Sequence, residues 1–189
     1  MKSKSRCWWC GEDPLYREYH DKEWGVPVHD DRKMFEMLTL EGFQAGLSWI
    51  TILRKRDNFR KAFKNFNVRK VARFGKADVA RLMRDEGIIR NRLKVDAAIE
   101  NARRLVQIRA SHGSFAAWLD DHHPLAKPEW VKLFKKSFAF TGGEITGEFL
   151  LSTGYLPGAH DPSCPVYATV ARLRPPWMRA QHKKGQRTA

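Results

Sequence analysis

The sequence predicts an all-α protein. Three observations carry this: apolar residues recur at spacings of three and four along most of the chain, capping residues stand just ahead of those stripes, and no segment shows the period-two alternation of a half-buried strand. Over residues 31–43, Met34, Leu38 and Glu41, with Ala45 beyond, follow a 4-3-4 spacing, and Asp30 or Asp31 can cap the first-turn amides. Ser48 can cap a second helix through Trp49, Ile52 and Leu53. Asn67 can cap a short one through Val68 and Val71. Val79, Leu82 and Met83 mark another, expected to end near Gly87. From Lys94 to His112, Val95, Ala98, Ile99, Ala102, Leu105 and Val106 form one stripe. Gly113 is its natural stop, because glycine accepts the left-handed backbone that closes a helix. Ser114 can cap a helix with Phe115, Trp118 and Leu119. Pro128 suits a first helical turn ahead of Trp130, Leu133 and Phe134. A last stripe runs from Glu144 to Thr153 and stops at Gly154. Beyond Leu156 the chain is proline-rich and aperiodic, and residues 172–189 hold six basic residues and no acid. Residues 1–171 are therefore expected to form one helical domain, with room for two lobes, followed by a basic, flexible tail over 172–189.

At 189 residues the chain can fill a sizeable core, and 42% hydrophobic with 12% aromatic residues excludes a disordered chain. Against 21 Asp and Glu stand 35 Lys and Arg, a net charge of +14. That surplus points to a polyanionic partner, nucleic acid before anionic membrane. Nine basic residues fall between Arg54 and Arg73 with Asp57 the single acid, a run that suits either a solvated face or a phosphate-facing one. No apolar run reaches transmembrane length, and the basic N-terminus leads into no apolar segment of the kind a secretion signal needs. Cys7, Cys10 and Cys164 are an odd number. They argue against a disulfide framework and for a reducing, cytoplasmic setting, with thiols free or on a metal.

Cys7 and His20 near one end, and His160 with Cys164 near the other, could form a closed tetrahedral zinc site tying the termini together. Four protein ligands leave no position for water, so such an ion would be structural. Cys10 offers an alternative partner, since Cys7-x-x-Cys10 is itself a zinc-knuckle spacing. His122-His123, after Asp120-Asp121, is a second candidate cluster or a polar loop before Pro124.

Aromatic residues crowd the N-terminal quarter: Trp8, Trp9, Tyr16, Tyr19, Trp24 and Trp49. Glu41 shares a helical stripe with Met34 and Leu38, which should face inward. A carboxylate there is costly without a partner. Either an arginine pairs with it, or it is held among rings as the acceptor of a flat, N–H-bearing, positively charged ligand. Beside a basic surface, that ligand is a nucleobase turned out of a duplex, and an alkylated purine with a formal positive charge fits best.

Several blocks then coincide. Asp13-Pro14-Leu15-Tyr16, Tyr19-His20-Asp21-x-Glu23-Trp24-Gly25, Phe35-Glu36-Met37, Leu40-Glu41-Gly42-Phe43-Gln44-Ala45-Gly46-Leu47-Ser48-Trp49 and Gly87-Ile88-Ile89-Arg90 resemble the DNA-3-methyladenine glycosylase I family. The resemblance runs from Cys7 to about Ile108 and resumes from about Phe134 to Cys164. It implies an all-helical fold with a helix–hairpin–helix DNA-binding core. It implies one structural zinc ion on Cys7, His20, His160 and Cys164, with Cys10 a bystander. It puts the base pocket on Glu41, Tyr19 and Trp49, with Trp9 and Trp24 nearby, and the loop facing the lesion on Gly46 and Leu47. The family hairpin usually reads Phe-x-Phe-Val-Gly-Pro-Thr. Here Phe138-Ala139-Phe140-Thr141-Gly142-Gly143-Glu144 replaces it. Gly142 and Gly143 still offer backbone N–H groups to a phosphate, whereas Glu144 repels one.

The function implied is hydrolysis of the N-glycosidic bond of 3-methyladenine in double-stranded alkylated DNA, leaving an abasic site without strand cleavage. Nothing demands more than a monomer. The rival expectation is a zinc-stapled module that binds nucleic acid and does no chemistry. A second rival is a zinc hydrolase using Glu41 as general base, which needs an open ligand position.

Overall fold

The computed structural model describes residues 6–185, with side chains over 6–180. All regular structure among the described residues is helical. A single turn over Trp8–Cys10 leads into α1 (Pro14–Lys22), α2 (Asp31–Gln44) and α3 (Trp49–Ala62). After a turn at Lys64–Phe66 come α4 (Val68–Ala72), α5 (Lys76–Arg84), the long α6 (Arg92–His112), α7 (Phe115–His122), α8 (Lys127–Ser137) and α9 (Gly143–Ser152). The chain closes with α10 (Tyr167–Arg172) and α11 (Pro176–Gly185).

The capping expectations hold where a side chain reaches the first-turn amides: Asp30 accepts from the Lys33 N–H at 2.8 Å, Asn67 from Lys70 at 3.0 Å and Ser114 from Ala117 at 2.9 Å. Ser48 stands at the start of α3 but caps nothing, because its hydroxyl pairs with Thr51 Oγ1 at 2.7 Å. Helix α5 stops at Arg84, before Gly87, because Asp85 is extended and its carboxylate takes the Gly87 N–H at 2.8 Å. Sequence periodicity missed α1, although Asp13 capping at Leu15 and Tyr16 and Pro14 in the first turn are a strong start signal.

Helix α2 is the central element. From Met34 to Phe43 only Gly42 escapes full burial, and α2 packs on α3, α4, α6, α7 and α9. A helix covered on every side has no single inward stripe. The main core gathers around it, with Phe35, Phe43, Phe59, Phe63, Phe115, Phe134 and Phe149 fully buried. A smaller cluster of Tyr19, Trp24 and Leu53, edged by Trp9, Tyr16 and Trp49, lies beside it and joins α1 to α3.

The segment expected to be a tail contains the end of α10 and all of α11. Its start is docked: Pro175 and Pro176 are buried, and the Trp177 N–H donates to the Gly154 carbonyl at 3.2 Å. Two consecutive prolines hide this in the sequence, since they read as a break, yet Pro176 is well placed at a helix start.

Candidate active site and metal centre

Helix α2 carries two buried acids with opposite fates, Glu36 in its first half and Glu41 in its second. Glu36 accepts from Arg56 Nε at 2.6 Å and Arg60 Nε at 3.0 Å, while Arg56 also holds Glu23 through two bonds of 2.7 and 2.9 Å. Burial alone pushes the Glu23 carboxyl up, but Arg56 and Lys33 hold it down at about 2. Glu41 is 3% exposed, and no hydrogen bond or ion pair reaches its carboxyl from the described residues. Burial, then the nearby Glu148, drives its pKa well above the ordinary carboxylate range. The arginine pairing that sequence left open for Glu41 is thus taken by Glu36.

Glu41 lies at the wall of a cavity of about 520 Å³. Trp8, Trp9, Tyr16, Tyr19, Trp24, Gln44, Ser48, Trp49, Glu148, Gly158 and Ala159 complete the lining. The volume falls within the range of small-ligand sites. The rings form a continuous array: Tyr19 meets Trp49 at 5.3 Å and Trp24 at 6.1 Å, and Trp9 meets Trp24 at 5.4 Å and Tyr16 at 5.2 Å. Trp24 is fixed by its indole N–H on the Ala159 carbonyl. Two polar atoms of the cavity lining, Tyr19 Oη and Trp49 Nε1, stay buried without a partner among the described residues. Unpaired buried polar atoms are costly, so these two groups beside Glu41 are available to a polar ligand.

Cys7, His20, His160 and Cys164 converge as expected. All four are buried, and their ligand atoms lie within 4.8 Å of one another. Cys7 Sγ is 3.7 Å from His160 Nδ1, and Cys164 Sγ is 3.6 Å from His20 Nε2 and 3.9 Å from His160 Nδ1. Metal–S bonds of about 2.3 Å and metal–N bonds of about 2.0 Å give tetrahedral N···S edges of roughly 3.5 Å, so the group can hold one metal ion. The outer ring nitrogens are oriented as metal-bound histidines require: His20 Nδ1 lies 2.7 Å from Asp21, and His160 Nε2 donates to the Trp24 carbonyl at 2.8 Å. Gly25 lets this corner close, since a Cβ there would sit 2.8 Å from Ala159 Cβ and its φ is +74°. Cys10 turns away and donates to the Cys7 carbonyl at 3.1 Å. The alternative cluster serves structure: His122 contacts the Trp118 carbonyl at 2.7 Å and His123 the Pro176 carbonyl at 3.1 Å.

The Cys/His cluster and the cavity share a wall, for the Trp9 ring packs on His20 at 5.2 Å. At the other rim, the Gly46-Leu47 loop leaves α2 with Gly46 at φ +82° and Leu47 39% exposed. The Gln44 side chain holds the loop by donating to the Leu47 carbonyl at 3.1 Å. Gly142 and Gly143 open α9, and the Asn101 side chain clamps the loop before them through the Ala139 N–H and carbonyl at 2.7 and 3.0 Å. Of the basic run, Arg54 pairs with Asp13 at 2.7 Å while Arg56 and Arg60 turn inward. Lys61, Lys64, Arg69, Lys70 and Arg73 stay exposed.

Sequence reasoning named Glu41, Tyr19, Trp49, Trp9 and Trp24, and all five line the cavity. It did not assign Gln44, Ser48 or Glu148 to it, nor place Trp8 at its mouth, where the ring is 91% exposed. Glu148 gave no signal, because its pattern is that of an ordinary helical acid.

A profile of the methyladenine glycosylase family matches residues 9–141. The chain is similar to DNA-3-methyladenine glycosylase 1 of Escherichia coli (strain K12), with 40% identity over 181 residues, 86% of this chain and 96% of that protein. It is similar in structure to a crystal structure of 3-methyladenine DNA glycosylase I, with a TM-score of 0.78, 40% identity, and coverage of 85% of this chain and 98% of that one. A structure of the Staphylococcus aureus 3-methyladenine DNA glycosylase I, solved for the basis of 3-methyladenine recognition, matches with a TM-score of 0.76 at 32% identity over 82% of this chain and 92% of that one.

Proposed function

The chain belongs to the methyladenine glycosylase family, and from that premise we infer that it is a base-excision repair glycosylase hydrolysing the N-glycosidic bond of 3-methyladenine in alkylated DNA, with Glu41 selecting the base. The observation that carries this is the buried, unpartnered Glu41 carboxyl facing a cavity walled by aromatic rings. Family membership, and not this arrangement alone, separates the reading from a binding module without chemistry.

The lesion supplies much of its own reactivity. Methylation leaves the purine positively charged, and departure of the base returns the electron pair of the glycosidic bond to it and neutralises it. Water adds its oxygen to the anomeric carbon and loses a proton as oxocarbenium character is quenched. The protein's task is to extrude, select and position. Glu41 accepts an N–H of the base, and the base's charge draws the carboxyl back to its ionised form. Tyr19 and Trp49 line the ring and offer the two unpaired polar atoms, with Trp9 and Trp24 behind them. Leu47, carried by the Gly46 turn, fills the space the base leaves in a double-stranded substrate. The loop between α8 and α9 serves as the hairpin of a helix–hairpin–helix element, with the Gly142 and Gly143 amides on a phosphate. Among the described residues no lysine lines the cavity, which favours simple hydrolysis to an abasic site.

Cys7, His20, His160 and Cys164 would hold zinc, which supplies cross-linking of the two ends of the chain and no reaction step, since four protein ligands close its coordination shell. A zinc hydrolase is disfavoured for the same reason.

The test is chromatography of bases released from methylated DNA by wild type and by Glu41→Gln. Release of 3-methyladenine by the wild type and a loss of at least tenfold in the variant are expected. Equal release by both proteins sinks the role of Glu41, and no release by either sinks the activity.

A further inference from the structure

Two acids, not one, face the cavity. Glu148 on α9 lines it together with Glu41 on α2, and the two helices pack directly. Glu148 is half-buried. Like Glu41, it has no hydrogen bond or ion pair among the described residues. Among the described residues no lysine, arginine or histidine lines the cavity. The charged and titratable groups facing Glu148 are Glu144 one turn earlier, Lys127 on α8, Glu41 on α2, and Tyr16 and Tyr19 on α1. Lys127 is the sole cation of that set, and its chain lies against Gly147, where a Cβ would meet its Cε at 2.7 Å.

A single carboxylate can be satisfied by any N–H donor, neutral or charged. Two acids in one aromatic cavity behave differently. With both ionised they repel each other, and only a proton or a positive ligand relieves that. A neutral purine leaves the repulsion in place, while a cationic one removes it. We propose that Glu148 is a second recognition carboxyl of this cavity, and that the Glu41–Glu148 pair sets the preference for positively charged purines over neutral ones of the same shape. The proposal rests on the reading of the cavity as the base site.

The experiment compares 3,9-dimethyladeninium, whose charge is fixed, with neutral 9-methyladenine. Each is titrated calorimetrically at pH 7.5 into wild type, Glu148→Gln, Glu148→Ser, Glu41→Gln and the surface control Glu86→Gln. Both Glu148 variants should lower the cation-to-neutral affinity ratio by roughly tenfold, the size of one partly screened charge, while the neutral base and the control change little. An unchanged ratio in both Glu148 variants, with a fall in Glu41→Gln, overturns the second carboxyl and leaves the base site standing. An unchanged ratio in Glu41→Gln as well, or no binding by the wild type, overturns both.

Discussion

Glu36 and Glu41 lie on the same helix, five residues apart and both buried, yet Glu36 is held by Arg56 at 2.6 Å while Glu41 has no partner among the described residues. Five residues turn a helix by about 500°, so the two acids point to different sides. One side meets the arginines of α3 and the other meets the ligand cavity. The first acid is tied into the fold by ion pairs, and the second is left facing the cavity, as the proposed recognition role requires.

Glu41 should therefore cost stability at neutral pH. Its folded pKa is raised, so its penalty grows as pH rises above the ordinary 4.5 and vanishes below it. Glu41→Gln is expected to melt higher than wild type at pH 7, by about 2–4 °C for each kcal/mol relieved, and equally at pH 4. Thermal melts at the two pH values check this.

Arg56 should be the reverse case. Arg56→Ala strands Glu23 and Glu36, with only Lys33 and Arg60 left to them. A loss of about 3–5 kcal/mol in urea denaturation is expected, the usual result of breaking a buried ion pair from one side.

The Glu23 carboxyl gives the acid limb of stability. Its folded pKa of about 2 lies below the ordinary 4.5, so its contribution is complete above 4.5 and is lost as pH falls from there towards 2. Urea midpoints over that window should fall less steeply in Glu23→Gln than in wild type.

Purified protein should hold about one zinc per chain by elemental analysis. Cys164→Ser should lower both zinc content and melting temperature. It should also weaken binding of the free base, because Trp9 packs on His20. Unaltered melting with zinc removed would exclude the staple.

Leu47→Ala should slow excision from duplex DNA while leaving affinity for the free base near wild type, as a wedge acts on the stack and not on the pocket. Duplex affinity of both proteins should fall steeply with added salt, as expected of a surface that keeps Lys61, Lys64, Arg69, Lys70 and Arg73 exposed.

The sequence by itself determined what is local. Capping residues and the three-to-four spacing located α2 through α9, because those signals act within one or two turns. Residue chemistry nominated Glu41, the rings around it and the four Cys and His side chains that converge. Tertiary structure decided what depends on neighbours remote in sequence. It decided that Arg56 goes to Glu36 and not to Glu41, that two prolines begin a docked helix, and that Glu148 joins the cavity. Each of these is a choice among partners of similar chemistry, and only packing, through burial and distance, can make it.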